Sequence, residues 1–99
     1  MRRAESLSGL LSLYPKAIQV RDQKTRWGAC TGRGTLTFNW RLILAPPAVL
    51  DYVVVHELCH LRHANHGRRF WELVGSVCPS FAAQRSWLRE NGALLRTAP

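Results

Sequence analysis

From Ala48 to His63 the chain runs without a Gly or a Pro, directly after Pro46-Pro47 and shortly before Asn65 and Gly67. Proline fits the first helical turn, where its missing N–H costs nothing, and Asn or Gly closes a helix. The bracketed run therefore predicts one long helix, with Leu50, Val54, Leu58 and Leu61 as its apolar stripe. It is the longest helix the sequence predicts, and it supplies the cover that a small sheet needs on its apolar face.

The segments on either side differ in period. Leu7, Leu10, Leu11 and Tyr14 fall at i, i+3, i+4 and i+7, which predicts a short amphipathic helix closed by Pro15. Ile18 and Val20, Trp27 and Ala29, and then Leu36, Phe38 and Trp40 alternate with their neighbours. These three runs, parted by polar turns at 22–25 and 31–34, predict a small antiparallel meander. After the central helix, Phe70, Trp71, Val74 and Val77 predict another helix ending before Pro79. Phe81, Trp87, Leu88, Leu94 and Leu95 predict one more. The expectation is a single α+β domain over 1–99, with a three-stranded antiparallel sheet against the central helix and two or three further helices.

Composition excludes several alternatives. With 46% hydrophobic and 20% charged residues, the chain is neither disordered nor collagen-like nor a coiled coil. No apolar run approaches the ~20 residues of a membrane span. Met1-Arg2-Arg3 resembles the start of a signal peptide, but Glu5 follows and no cleavage site appears. The three cysteines, Cys30, Cys59 and Cys78, are odd in number and form no CxxC pair, which argues for a reducing, cytoplasmic setting. The net charge of +8 favours acidic partners such as nucleic acid or nucleotides, without choosing among them.

The long helix also carries the chemistry. His56-Glu57-Leu58-Cys59-His60 places two imidazoles one turn apart on one face, where both can reach a single Zn²⁺. Glu57 stands beside them, offset so that its carboxylate can take a proton from water at the metal. With four His and four Glu in the chain, this pattern arises by chance roughly 0.006 times, so it is informative by itself. A catalytic zinc usually has three protein ligands. His63 shares the face but lies ~10.5 Å along the axis from His56. His66 follows a turn at Ala64-Asn65 that can swing it back, and is preferred; Glu72 on the next helix is the alternative. The spacing of the histidines matches that of metzincins, but His63 stands where those have Gly, and no Met-turn follows. Cys59 points away from the His56/His60 face, into the core.

Several ordered motifs bear on this reading: Arg26-Trp27-Gly28-Ala29-Cys30, Asn39-Trp40-Arg41-Leu42, Tyr52 to Leu61 around the histidines, and His66-Gly67-Arg68-Arg69-Phe70-Trp71. Together, over about 16–90, they resemble the YgjP-like family of predicted bacterial metal-dependent hydrolases, related to SprT-like and WLM zinc peptidases. The resemblance implies a minimal zincin-like fold, with His56, His60 and His66 as zinc ligands and Glu57 as catalytic acid/base. Members of that family are typically longer, with a further N-terminal region before this block.

Around the motif, Lys24, Arg26 and Arg41 are candidates for an oxyanion or phosphate contact, Arg26 foremost because it belongs to the family-like block. For any single one of them, solvated strand-edge charge is the plainer reading. Asn39 is a candidate substrate contact, although a turn-proximal Asn commonly bonds its own backbone. The four tryptophans are expected in the core rather than stacked on bases, and Arg68-Arg69 on the surface. Three functions follow: a zinc-dependent hydrolase acting on peptides, one acting on nucleoside triphosphates, or a basic nucleic-acid-binding module with structural zinc.

Overall fold

The computed structural model describes residues 2–23 and 25–97. Its elements run α1 (Arg2–Leu11), β1 (Ala17–Arg21), β2 (Gly28–Cys30), β3 (Thr35–Asn39), a 3₁₀ helix (Trp40–Leu44), α2 (Pro47–Cys59), α3 (Arg68–Val77) and α4 (Phe81–Arg96). The α+β class and the count of strands agree with expectation.

The long helix, α2, begins with Pro47 in its first turn, as the sequence predicts. It ends sooner: His60 caps it, and the amides of Leu61, Arg62 and His63 wind on to the carbonyls of Leu58 and Cys59. Its burial is not confined to a stripe. Val49, Tyr52, Val53, Val54, Val55, Leu58 and Cys59 are all buried, because the sheet, α1, α3 and α4 enclose the helix from different sides. Each side chain of this size that is withdrawn from water contributes about 1.5–3 kcal/mol, so α2 is the spine of the core.

In α1 the buried line is Ala4, Leu7, Ser8 and Leu11, while Leu10 is 69% and Tyr14 71% exposed. The small residues Ala4 and Ser8 allow α1 to lie close on α2, so the contact line is rotated from the one that the larger leucines suggest. Nor does Pro15 end the helix. Ser12, in the left-handed conformation (φ 55°), donates to Gly9, and Leu13 donates back to Ser8, the paired closure of a Schellman motif. Arg3 forks onto Asp51 at 2.7 and 2.8 Å, tying α1 to α2.

The sheet is mixed rather than an antiparallel meander. Its order is β1-β3-β2, with β3 central, parallel to β1 and antiparallel to β2. Only β2 and β3 form a hairpin, around Thr31–Gly34, where Gly34 takes the positive φ of 89°. The segment after β1 is long enough to step over the end of β3 rather than fold back beside β1. Asn39 at that end holds it down: its amide donates to the carbonyls of Gln23 and Arg26 at 2.7 and 3.2 Å. Asn39 also accepts from the amide of Arg41, which starts the 3₁₀ helix. Trp40 thus lies past the strand it was expected to extend.

Candidate metal centre

α2 delivers His56 and Glu57 from its last full turn and His60 from its cap. The chain then turns through Ala64-Asn65 and returns His66 against them. The Nε2 atoms of His60 and His66 are 2.9 Å apart, and one ring nitrogen from each of His56, His60 and His66 lies within 4.8 Å of the others. Glu72, the alternative third ligand, is not in this group; it pairs with Arg68 one turn back on α3 at 2.9 Å.

The ring orientations are set by hydrogen bonds. His60 Nδ1 lies 3.0 Å from the carbonyl of His63. A carbonyl only accepts, so Nδ1 carries the proton and Nε2 keeps its lone pair for the cluster. His56 Nδ1 donates in the same way to Glu57 Oε2 at 2.9 Å. His63 therefore serves through its main chain, while its own imidazole stays out of the cluster.

Beneath the three imidazoles lies Phe70, 1% exposed, with ring centroids 4.6 to 5.1 Å from theirs. Trp71 stacks on His66 at 5.9 Å and on Phe81 at 5.1 Å. This aromatic floor, supplied by the first turn of α3, holds His66 although that residue sits on an exposed turn. Desolvation first, and then the neighbouring His56 and His60, lower the pKa of His66, which keeps it a neutral donor. Three imidazole nitrogens suit Zn²⁺ and other late divalent ions rather than Mg²⁺ or Ca²⁺, which take oxygen.

Glu57 is 6% exposed and packs against the sheet. A Cβ on Gly28 would lie 3.0 Å from its Cγ and 3.3 Å from its Oε2, so β2 passes the carboxylate at a distance that any larger residue would have to crowd. An open cavity of about 470 Å³ spans from the free edge of β2 to the histidines, with Arg26, Glu57 and His66 on its wall. Tyr52 stands beside His56, and burial pushes its phenol up to about 12, leaving it protonated.

The remaining sequence candidates are placed differently. Arg26 reaches the cavity. Asn39 is 1% exposed and its side chain is committed to the backbone of its own loop. Arg41 is turned to Asp22 and lies over the Trp40 ring at 4.9 Å, so it is held by its own neighbours rather than by the cleft. Lys24 lies outside the described residues. The tryptophans are half-buried rather than fully internal, and Arg68-Arg69 are exposed, as expected. Cys59 is fully buried in the core.

A family model for the YgjP-like metallopeptidase domain matches residues 1–91. The chain belongs to the YgjP-like metallopeptidase family. This YgjP-like chain also superposes on the crystal structure of the metallopeptidase zymogen abylysin of Pyrococcus abyssi, with a TM-score of 0.77 and 22% identity, over 99% of this chain and 97% of that one. The metallopeptidase zymogen jannalysin of Methanocaldococcus jannaschii gives a TM-score of 0.76 and 18% identity, over 94% of each chain. At such identities the likeness is one of fold. No curated protein sequence matches the chain significantly. Membership in a metallopeptidase family makes the three-histidine cluster the expected place for its divalent metal. Phe70 and the carbonyl of His63 were not legible as site components from sequence; the signals for Phe70 were its place in the motif His66 to Trp71 and its apolar character one turn after His66.

Proposed function

We propose that the chain is a zinc-dependent peptidase in which His56, His60 and His66 hold the metal and Glu57 is the general acid/base. The observation that carries this is the convergence of three imidazole nitrogens next to a buried carboxylate at the edge of an open cleft. Zinc in such a set supplies Lewis acidity and makes water ionise near neutral pH.

The protein's own groups then have separable tasks. The carbonyl of His63 and the carboxylate of Glu57 orient His60 and His56 through their Nδ1–H groups. Glu57 keeps a second oxygen free to take a proton from water and return it to the leaving amine. Among the described residues β2 bonds only to β3, so its outer edge, on the cleft side, is unpaired. An extended peptide adds there as a further strand, which brings its backbone carbonyl past Glu57. We assign Arg26, which lines the cleft, as the charged group that touches such a substrate. We infer a reducing, cytoplasmic setting from the three free thiols. The charge of +8 favours acidic substrates or acidic carriers, nucleic acid included.

The test is hydrolysis by the zinc-loaded protein of an unfolded protein and, separately, of nucleoside triphosphates, each with and without a chelator. Chelator-sensitive cleavage of the protein substrate is the expected result. Chelator-sensitive release of pyrophosphate without peptide cleavage would replace the substrate class. A chelator-insensitive gel shift with DNA, and no turnover of either, would leave a binding module.

A further inference from the structure

A second cavity, of about 240 Å³, shares Arg26, Gly28, His56 and Glu57 with the cleft but touches neither His60 nor His66. Its remaining walls are Trp27, Tyr52, Val53 and Leu88. The Trp27 wall is fixed from behind. Gly92 of α4 lets the indole approach so closely that a Cβ there would lie 3.2 Å from Cζ2, and the guanidinium of Arg96 lies 5.1 Å over the ring. A cavity of ~150 Å³ lined by apolar side chains accommodates a benzene ring. The space beside Glu57 therefore holds one side chain of leucine or phenylalanine size.

Two charged side chains line it, Arg26 and Glu57. Arg26 is exposed and forms no ion pair among the described residues. Glu57 is the one acidic residue on the walls of either cavity, and one of its two oxygens is held by His56 Nδ1. An exposed guanidinium such as that of Arg26 recognises a planar anion through a two-toothed hydrogen bond, and a carboxylate is the anion a peptide carries.

We propose that this cavity is a specificity pocket that takes one apolar side chain of the substrate, with Arg26 binding a carboxylate on the residue that follows. Its service in catalysis rests on the peptidase reading above; its ligand chemistry does not. The carboxylate comes either from the end of a peptide or from an acidic side chain, and the probes separate the two sources.

The experiment uses the metal-free protein, so that nothing is turned over, and follows the indole N–H resonance of Trp27. The probes are N-acetyl-Leu-Gly as the free acid, its amide, N-acetyl-Leu-Asp amide, and N-acetyl-Ala-Gly acid. The free acid should bind about tenfold more tightly than its amide, in line with a charge-assisted hydrogen bond. Replacing Leu by Ala should weaken binding by a similar factor. Arg26→Gln, an exposed substitution, should erase the acid–amide difference and leave the Leu–Ala difference. Tight binding of the Asp amide assigns the site to acidic side chains; weak binding assigns it to chain ends. Equal binding of acid and amide, equal binding of Leu and Ala, an unmoved Trp27 signal, or a preference that survives Arg26→Gln would each overturn the proposal. Failure of the peptidase reading would show instead as absent peptide cleavage with these affinities intact.

Discussion

Gly28→Ala tests how the Glu57 carboxylate is held. The added methyl would lie 3.0 Å from Glu57 Cγ, 3.3 Å from Glu57 Oε2 and 3.2 Å from the carbonyl of Thr37. Carbon atoms prefer separations of ~3.5–4.0 Å, so the neighbours must give by a few tenths of an ångström. Thr37 is in the central strand, paired with Ala29 on one side and Gln19 on the other, and has little room to yield. Glu57 must therefore give way, and its 2.9 Å contact with His56 Nδ1 goes with it. Overpacking of this kind costs about 1–3 kcal/mol, and each 1 kcal/mol lowers Tm by about 4–8 °C in a domain of this size. A misplacement near 1 Å costs up to ~10²-fold in rate. Peptidase activity should fall by about 10- to 100-fold, with Tm lowered. A double-mutant cycle supplies the control: in a Glu57→Ala background most of the stability cost of Gly28→Ala should vanish, because two of the three close atoms are gone. Gly9→Ala, with open space around its Cβ on α1, should stabilise by about 0.5–1 kcal/mol instead. Full activity and unchanged Tm for Gly28→Ala, or an unchanged cost without the Glu57 side chain, would refute the reasoning.

Other substitutions probe the remaining supports. His66→Ala should weaken zinc binding by more than the ~10–100-fold typical of losing a group that only supports a ligand. His63→Ala should stay within a few-fold of the parent, because His63 contributes its main-chain carbonyl; competition with a chromogenic chelator measures both. Asn39→Ala removes three hydrogen bonds from a buried amide and should cost about 2–4 kcal/mol in denaturant unfolding. Cys59, fully buried and pushed up to about 12 by burial, should be the slowest of the three thiols to react with iodoacetamide at pH 8, and should become reactive on unfolding.

What could be read from the sequence was what depends on neighbours along the chain. Pro47 and the uninterrupted run after it marked α2, and the four-residue spacing put His56 and His60 on one face. The breaks at Asn65 and Gly67 gave the turn that returns His66. What could not be read depends on partners distant in sequence. Alternation identified three strands but not their neighbours, so the insertion of β3 between β1 and β2, secured by Asn39, was not apparent. In α1 the leucine spacing admitted two lines, and the tight approach allowed by Ala4 and Ser8 chose between them. Gly28 looked like any strand glycine until Glu57 was seen packed against it, and Phe70 like an ordinary core residue until three imidazoles were found above it.

The central claim is that three imidazoles hold one metal ion for a carboxylate that moves the proton. Glu57→Gln preserves size and packing while removing the base. Measured side by side, zinc content and cleavage of an unfolded protein substrate decide the matter. The account predicts about one zinc per chain in both proteins, with cleavage in the parent and none detectable in the variant. Cleavage that survives the substitution, or a parent that takes up no zinc, would contradict it.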